Sequence, residues 1–193
     1  MSESSGTQSR RQEELFEAAY QYVLAHGLVD LSLRPLAAAI GSSPRVLLYL
    51  YGSKEELVRA LLARARTDEL AFLGPALAQA AGHLELSTAV LSTWEWLAAA
   101  EHRSLLCLWV EAYARSLVEP EGPWASFAAQ TVADWLDLLA AAQPARRRRT
   151  KAGLAERTAA LAVLRGALLD LLATGDVART TAAVEVYAET VRD

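Results

Sequence analysis

The sequence predicts an all-α chain of about nine helices, a small N-terminal head joined by a long helix to a larger body. Three observations carry that prediction. Apolar residues recur at helical spacing along most of the chain, with no sustained period-two alternation and no β-branched runs. Capping residues and breakers punctuate the pattern at helix-length intervals. The chain has 193 residues, 53% of them hydrophobic, enough to bury a core without staples, and its single cysteine excludes an internal disulfide framework.

Residues 1–9 are polar and are expected to form a disordered tail. A helix is expected over 10–25, where Phe16, Ala19, Tyr20 and Val23 share one face, and Gly27 closes it. Ser32 is placed to cap a short helix over 33–40, whose Pro35 falls in the first turn, where a missing N–H does no harm. Gly41 makes a turn, Ser43 caps again, and Pro44 opens a third helix ending near Tyr51. Ser53-Lys54-Glu55-Glu56 has the spacing of a capping box and opens a long fourth helix carrying Leu57, Leu61 and Leu70. Further helices are expected over 87–100, 102–118, 123–142, 151–173 and 177–192. Their breaks are Gly82, the run Glu119-Pro120-Glu121-Gly122-Pro123, Gln143-Pro144 and Gly175-Asp176. The head is expected to span 10–62 and the body 63–193.

Charge and composition narrow the function. The net charge is −4; residues 1–66 carry eight basic and seven acidic groups, so any nucleic acid must be held by a few placed cations rather than a broad field. The opening MSESSGTQS has no signal-peptide core, and the uncharged stretch 71–84 is broken by Gly74, Pro75 and Gly82, so a soluble cytoplasmic protein is expected, with no membrane partner. Three histidines and one thiol leave no Cys/His zinc site, and neither a Gly-rich phosphate loop nor a Glu-x-x-His pair is present, so no enzyme, metal or cofactor is expected. Cys107, inside the apolar stretch 105–110, reads as a buried structural thiol. The run Arg146-Arg147-Arg148-Arg149, in a loop of the body, reads as a solvated surface.

The helices over 33–40 and 44–51, joined by a glycine turn, have the form of a helix-turn-helix. The first braces with Leu36, Ala37 and Ile40. The second, started by Ser43 and Pro44, would enter a DNA major groove, with Arg45 and Tyr49 four apart on one face. Arg45 suits a guanine edge, Tyr49 a thymine methyl or a phosphate, and Lys54 a phosphate at the positive start of the next helix. Arg10, Arg11 and Arg34 are placed for flanking backbone.

The stretch 32–57, with Ser32, Leu36-Ala37, Gly41, Ser43, Tyr51 and Ser53-Lys54-Glu55, resembles the tetracycline-repressor (TetR) family of transcriptional regulators. It departs from the family pattern at Leu48, where a phosphate-contacting tyrosine is usual, and at Arg45, where a small residue is usual. The resemblance implies a homodimeric repressor on a palindromic operator, released when a small molecule bound in the body tilts the fourth helix. All five tryptophans (Trp94, Trp96, Trp109, Trp124 and Trp135) fall in the segment that would enclose the effector. Trp94, Trp109, Tyr113, Phe127, Thr131 and Trp135 are the expected lining of a site for a hydrophobic or aromatic molecule, with Thr93 and Glu111 as further polar handles. The helix over 102–118, apolar on two faces, is expected at the centre of the body. The last two helices are expected to pair across a two-fold axis through Leu161, Gly166, Leu168, Val184 and Tyr187, with Ala155, Ala159, Ala162 and Gly166 forming a small-residue side that permits close approach; the alternative is that these stripes face only the chain's own core. A competing functional reading is a helical small-molecule- or partner-binding protein whose head is silent.

Overall fold

A computed structural model describes residues 2–79 and 85–191. All regular structure among them is helical: α1 (Ser2–His26), α2 (Leu33–Ala39), α3 (Pro44–Tyr51), α4 (Lys54–Gln79), α5 (Leu86–Ala98), α6 (Arg103–Val118), α7 (Phe127–Ala141), α8 (Ala145–Arg148), α9 (Lys151–Thr174) and α10 (Val177–Thr190), with a 3-10 turn at Ala100–His102. The Gly82 break and the expected end at Arg192 lie outside the described residues.

Three boundaries differ from the sequence reading. The first helix already runs from Ser2, where a tail over 1–9 was expected; once a helix is nucleated, each further residue adds a hydrogen bond at little cost, even in a polar stretch. The helix expected from 123 starts at Phe127, because Ser126 adopts φ 64° and the Ser116 hydroxyl accepts the Ala128 N–H at 3.1 Å. An extra turn of helix, α8, forms inside the arginine run, where Arg147 N–H bonds Pro144 O at 2.8 Å.

The described residues form two compact units, and α4, α6 and α7 each contribute to both. The first comprises the chain up to Ala65 together with Cys107–Ala128. The second stretch had been assigned to the body; a backbone cap explains its place here. Both carboxylate oxygens of Glu111 accept the Leu28 N–H, at 2.9 and 3.0 Å, just beyond the end of α1. Gly27 makes this possible. Its φ of +78° reverses the chain, and a Cβ there would stand 2.8 Å from Glu111 Oε2. Glu111 is therefore a structural acceptor rather than an effector handle.

The second unit comprises Arg66–Leu106 and the chain from Ala129 onward. Its core joins α5, α7, α9 and α10 through Val90, Trp94, Leu97, Trp135, Leu161, Leu164, Leu168 and Val184. α10 packs on α5 and α9, and α5 on α9. Gly175, left-handed at φ 70°, ends α9, and Asp176 caps α10 by accepting the Arg179 N–H at 3.1 Å.

Candidate functional site

In the first unit, α2 packs on α1 and α3, and Gly41 at φ 66° supplies the turn between α2 and α3. Ser43 caps α3 with extended backbone, its hydroxyl accepting the Val46 N–H at 3.3 Å, and Pro44 occupies the first turn. Ser32 holds the corresponding position before α2 but makes no side-chain cap bond. Leu36 and Ala37 on α2 and Leu47 on α3 are at most 1% exposed, so Leu47 alone pins the middle of α3 inward. The opposite face holds Arg45, Val46, Leu48 and Tyr49, all exposed, Tyr49 at 77%. Ser53 caps α4 by accepting the Glu56 N–H at 3.0 Å, which leaves Lys54 exposed in the first turn.

The flanking cations are also at the surface. Arg11 and Arg34 are exposed, and Arg10 is exposed while donating to Glu14 at 3.0 Å. A nearby groove of about 670 Å³ is lined by Glu13, Glu14 and Glu17, with Arg64 bonded to Glu17 at 2.9 Å. Its charge is wrong for a phosphate, whereas the α2–α3–α4 side carries the exposed cations Arg34, Arg45 and Lys54.

In the second unit, Glu69 on α4 is 2% exposed. Its Oε1 accepts the Trp135 indole N–H at 2.9 Å, the only hydrogen bond to this carboxyl among the described residues. Arg66, one turn earlier, forks onto Asp134 of α7, with Nη2–Oδ1 at 2.8 Å, and donates to Gln130 at 2.8 Å. Burial pushes the Glu69 carboxyl up to about 7, against the smaller opposing pulls of the Trp135 bond and the Arg165 charge. The sequence reading missed Glu69, yet the signal was there. Leu57, Leu61 and Ala65 are buried at four-residue spacing, and Glu69 is the next position on that stripe.

The expected aromatic lining divides between the units. Trp94, Thr131 and Trp135 belong to the second and are at most 3% exposed; the Trp94 indole donates to Thr181 of α10 at 2.9 Å. Thr93 is 2% exposed, and its hydroxyl has no hydrogen-bond partner among the described residues. Trp109, Tyr113 and Phe127 belong to the first, where Trp109 stacks on Tyr113 at 5.0 Å between centroids. α6 is not enclosed on all sides. It shows Arg103, Cys107, Ala114 and Leu117 to solvent, so Cys107 is exposed rather than buried as its apolar neighbours suggested.

No family model matches the chain, and no curated protein matches it. Solved structures do. A transcriptional regulator from Rhodococcus sp. Rha1 superposes with a TM-score of 0.73 at 16% identity, covering 93% of this chain and 95% of that one. A TetR transcription regulator from Haloarcula marismortui gives 0.71 at 16%, covering 95% and 97%. The multidrug binding protein EbrR, complexed with imidazole, gives 0.69 at 24%, covering 95% and 91%. The chain has the TetR-type fold. At these identities the likeness is one of architecture, and the side chains that would read DNA or hold a ligand are this chain's own.

Within that TetR-type architecture the expected pairing residues separate into two faces. Leu161, Leu168 and Val184 sit in the second unit's own core, at most 4% exposed, and cannot meet a second copy. The small-residue side of α9, Ala155, Ala159, Ala162 and Gly166, faces outward together with Leu169 and Ala173, all exposed within one arc of the helix. Tyr187 is half-buried and turns its hydroxyl to Glu156 O at 3.3 Å.

The arginine run is partly structural. Arg147 pairs with Glu156, and Arg148 caps the end of α7 through Gln143 O and Ala141 O at 2.7 and 2.8 Å; Arg146 and Arg149 are exposed. Among the described residues no cluster of His, Cys, Asp and Glu could hold a metal ion, and no helix is long and apolar enough to cross a membrane.

Proposed function

We propose that the protein is a DNA-binding transcriptional regulator, a repressor that binds a palindromic operator as a homodimer and is released by a hydrophobic or aromatic small molecule. The observation that carries this reading is the capped α2–α3–α4 head, which turns Arg45, Tyr49 and Lys54 to solvent on a TetR-type fold. In it α3 lies in the major groove, Arg45 takes a base edge, and Lys54 takes a phosphate with help from the free N–H groups at the start of α4. Arg10, Arg11 and Arg34 hold flanking phosphates. Such a protein acts where the chromosome is, in the cytoplasm.

The small-residue face of α9 supports the dimer. Alanines and a glycine let two helix backbones approach, and the exposed Leu154, Leu169, Val177 and Val186 supply apolar area beside them on α9 and α10. For the effector, the second unit offers Trp94, Thr131 and Trp135 with two buried polar groups that have capacity to spare, the Thr93 hydroxyl and Glu69. Glu69 stands on α4, whose earlier turns carry Lys54 and belong to the first unit, so α4 is the element through which occupancy and DNA affinity would be linked.

The competing reading, a ligand- or partner-binding protein with a silent head, draws support from the near-neutral charge of residues 1–66 and from Leu48. Charge reversal separates the two. Arg45→Glu with Lys54→Glu is expected to abolish the preference for specific over scrambled duplex in an anisotropy titration, while circular dichroism stays unchanged. If the wild-type protein shows no such preference, the silent-head reading stands instead.

A further inference from the structure

We infer that α3 reads a half-site in which a guanine is flanked by thymines, Arg45 taking the guanine and Val46, Leu48 and Tyr49 packing on thymine methyl groups. The inference deepens the regulator reading and rests on it. α3 has eight residues, and with Leu47 turned inward its outward arc is short enough to account for side chain by side chain. At about 100° per residue, Arg45 and Tyr49 lie about 40° apart at the centre of that arc, with Leu48 and Val46 about 60° to either side. Leu48 is 43% exposed and Val46 38%.

The chemistry of this arc is narrow. In the major groove guanine presents two acceptors, adenine an acceptor and a donor, cytosine a donor, and thymine an acceptor with a C5 methyl. Reading adenine through both groups takes a side-chain amide, and reading cytosine takes a carboxylate. The arc holds neither. Its guanidinium fits the two acceptors of guanine. Val46 and Leu48 have no polar atom, so the base feature within their reach is the thymine methyl, and the Tyr49 ring adds a flat apolar surface beside them. The Ser43 hydroxyl at the start of α3 already accepts the Val46 N–H, so what it can offer a base is its own O–H, a donor that suits the acceptors of guanine and thymine.

Energetics point the same way. Apolar side chains held in water on a short helix gain by association with methyl groups, whereas against cytosine or guanine edges they would strand donors and acceptors without partners. Leu48, where the resembled family usually has a phosphate-bonding tyrosine, thus becomes a reader of sequence rather than of backbone.

The test is a selection of binding sites from a randomised duplex library by the full-length protein, followed by titration of the selected duplex with single thymines replaced by deoxyuridine. That replacement removes the methyl and nothing else. A selected half-site holding a guanine with adjacent thymines is expected, and each deoxyuridine at a contacted position should weaken binding about fourfold. Leu48→Ala should make binding indifferent to the methyl at one position. The deoxyuridine arm uses the unaltered protein, so it is readable even if a variant folds poorly. A selected site without thymines, or one whose affinity ignores deoxyuridine, overturns the methyl readout and leaves the regulator reading standing. Failure to select any sequence overturns both.

Discussion

The first unit shows large apolar side chains to solvent from a short helix, Val46, Leu48 and Tyr49 of α3; the second shows small ones from a long helix, Ala155, Ala159, Ala162 and Gly166 of α9. Large side chains protrude and suit insertion into a groove, while small ones leave a flat strip that a second helix can approach backbone to backbone. The units also treat an inward glutamate differently. Glu111 spends both oxygens on one backbone N–H after α1, whereas Glu69 is buried with a single indole partner and a raised pKa. The first unit therefore ties down its inward glutamate and carries its exposed cations and apolar side chains outside. The second keeps an incompletely satisfied carboxyl inside and, outside, a small-residue strip flanked by exposed apolar side chains. The proposed function, a head that reads DNA and a body that responds to a small molecule, calls for that division.

The strongest way to break the contrast is to put bulk on the flat strip. A Cβ at Gly166 would meet nothing within 4 Å in its own chain, so Gly166→Leu should leave the subunit folded. In a two-fold dimer the added bulk appears twice, and sedimentation equilibrium should show self-association weakened about 100-fold or more, with operator affinity falling in step. Glu69 comes next. Its folded pKa of about 7 lies above the ordinary 4.5, so the fold binds this proton more tightly than the unfolded chain does. That stabilisation is complete below about 4.5 and is lost as pH rises through about 7. Glu69→Gln should remove the slope in urea denaturation across this window and exceed the parent by about 3 kcal/mol at about pH 8, with the two equal at about pH 4. In the first unit, Glu111→Ala strips the acceptor from the Leu28 N–H and should cost about 1–3 kcal/mol at neutral pH in the same assay. Leu48→Ala should be the mildest for stability, within about 0.5 kcal/mol, because the side chain protrudes; its effect belongs to DNA affinity.

Much of the fold was legible because caps and breakers act locally. Ser43-Pro44, Ser53, Gly175 and Asp176 each end or start a helix where the sequence put them, since each works through its own backbone and the next turn. The assignment of 107–128 failed for the opposite reason. A run rich in apolar residues reads as body, and its membership of the first unit, marked by the long-range bond from Leu28 to Glu111, shows only once the chain is folded. The pairing residues were half legible. α9 is apolar on two faces, and the sequence pattern shows both the small-residue side with Gly166 and the leucines beside it; which of them faces out depends on packing, and Leu161 and Leu168 fill the core. The tryptophans were visible as a set, but which acceptor each indole N–H finds, Thr181 for Trp94 and Glu69 for Trp135, depends on tertiary packing. Glu69 itself stood in plain view on the buried stripe of α4.

The central claim is that the α2–α3 head reads DNA sequence. The most direct test is a fluorescence-anisotropy titration of the full-length protein against the DNA upstream of its own gene, at several salt concentrations, beside a scrambled duplex of equal composition. The account predicts affinity for the upstream DNA about 1,000-fold or more above the scrambled duplex, with log K falling linearly in log salt. Equal affinity for the two duplexes at every salt concentration would contradict it.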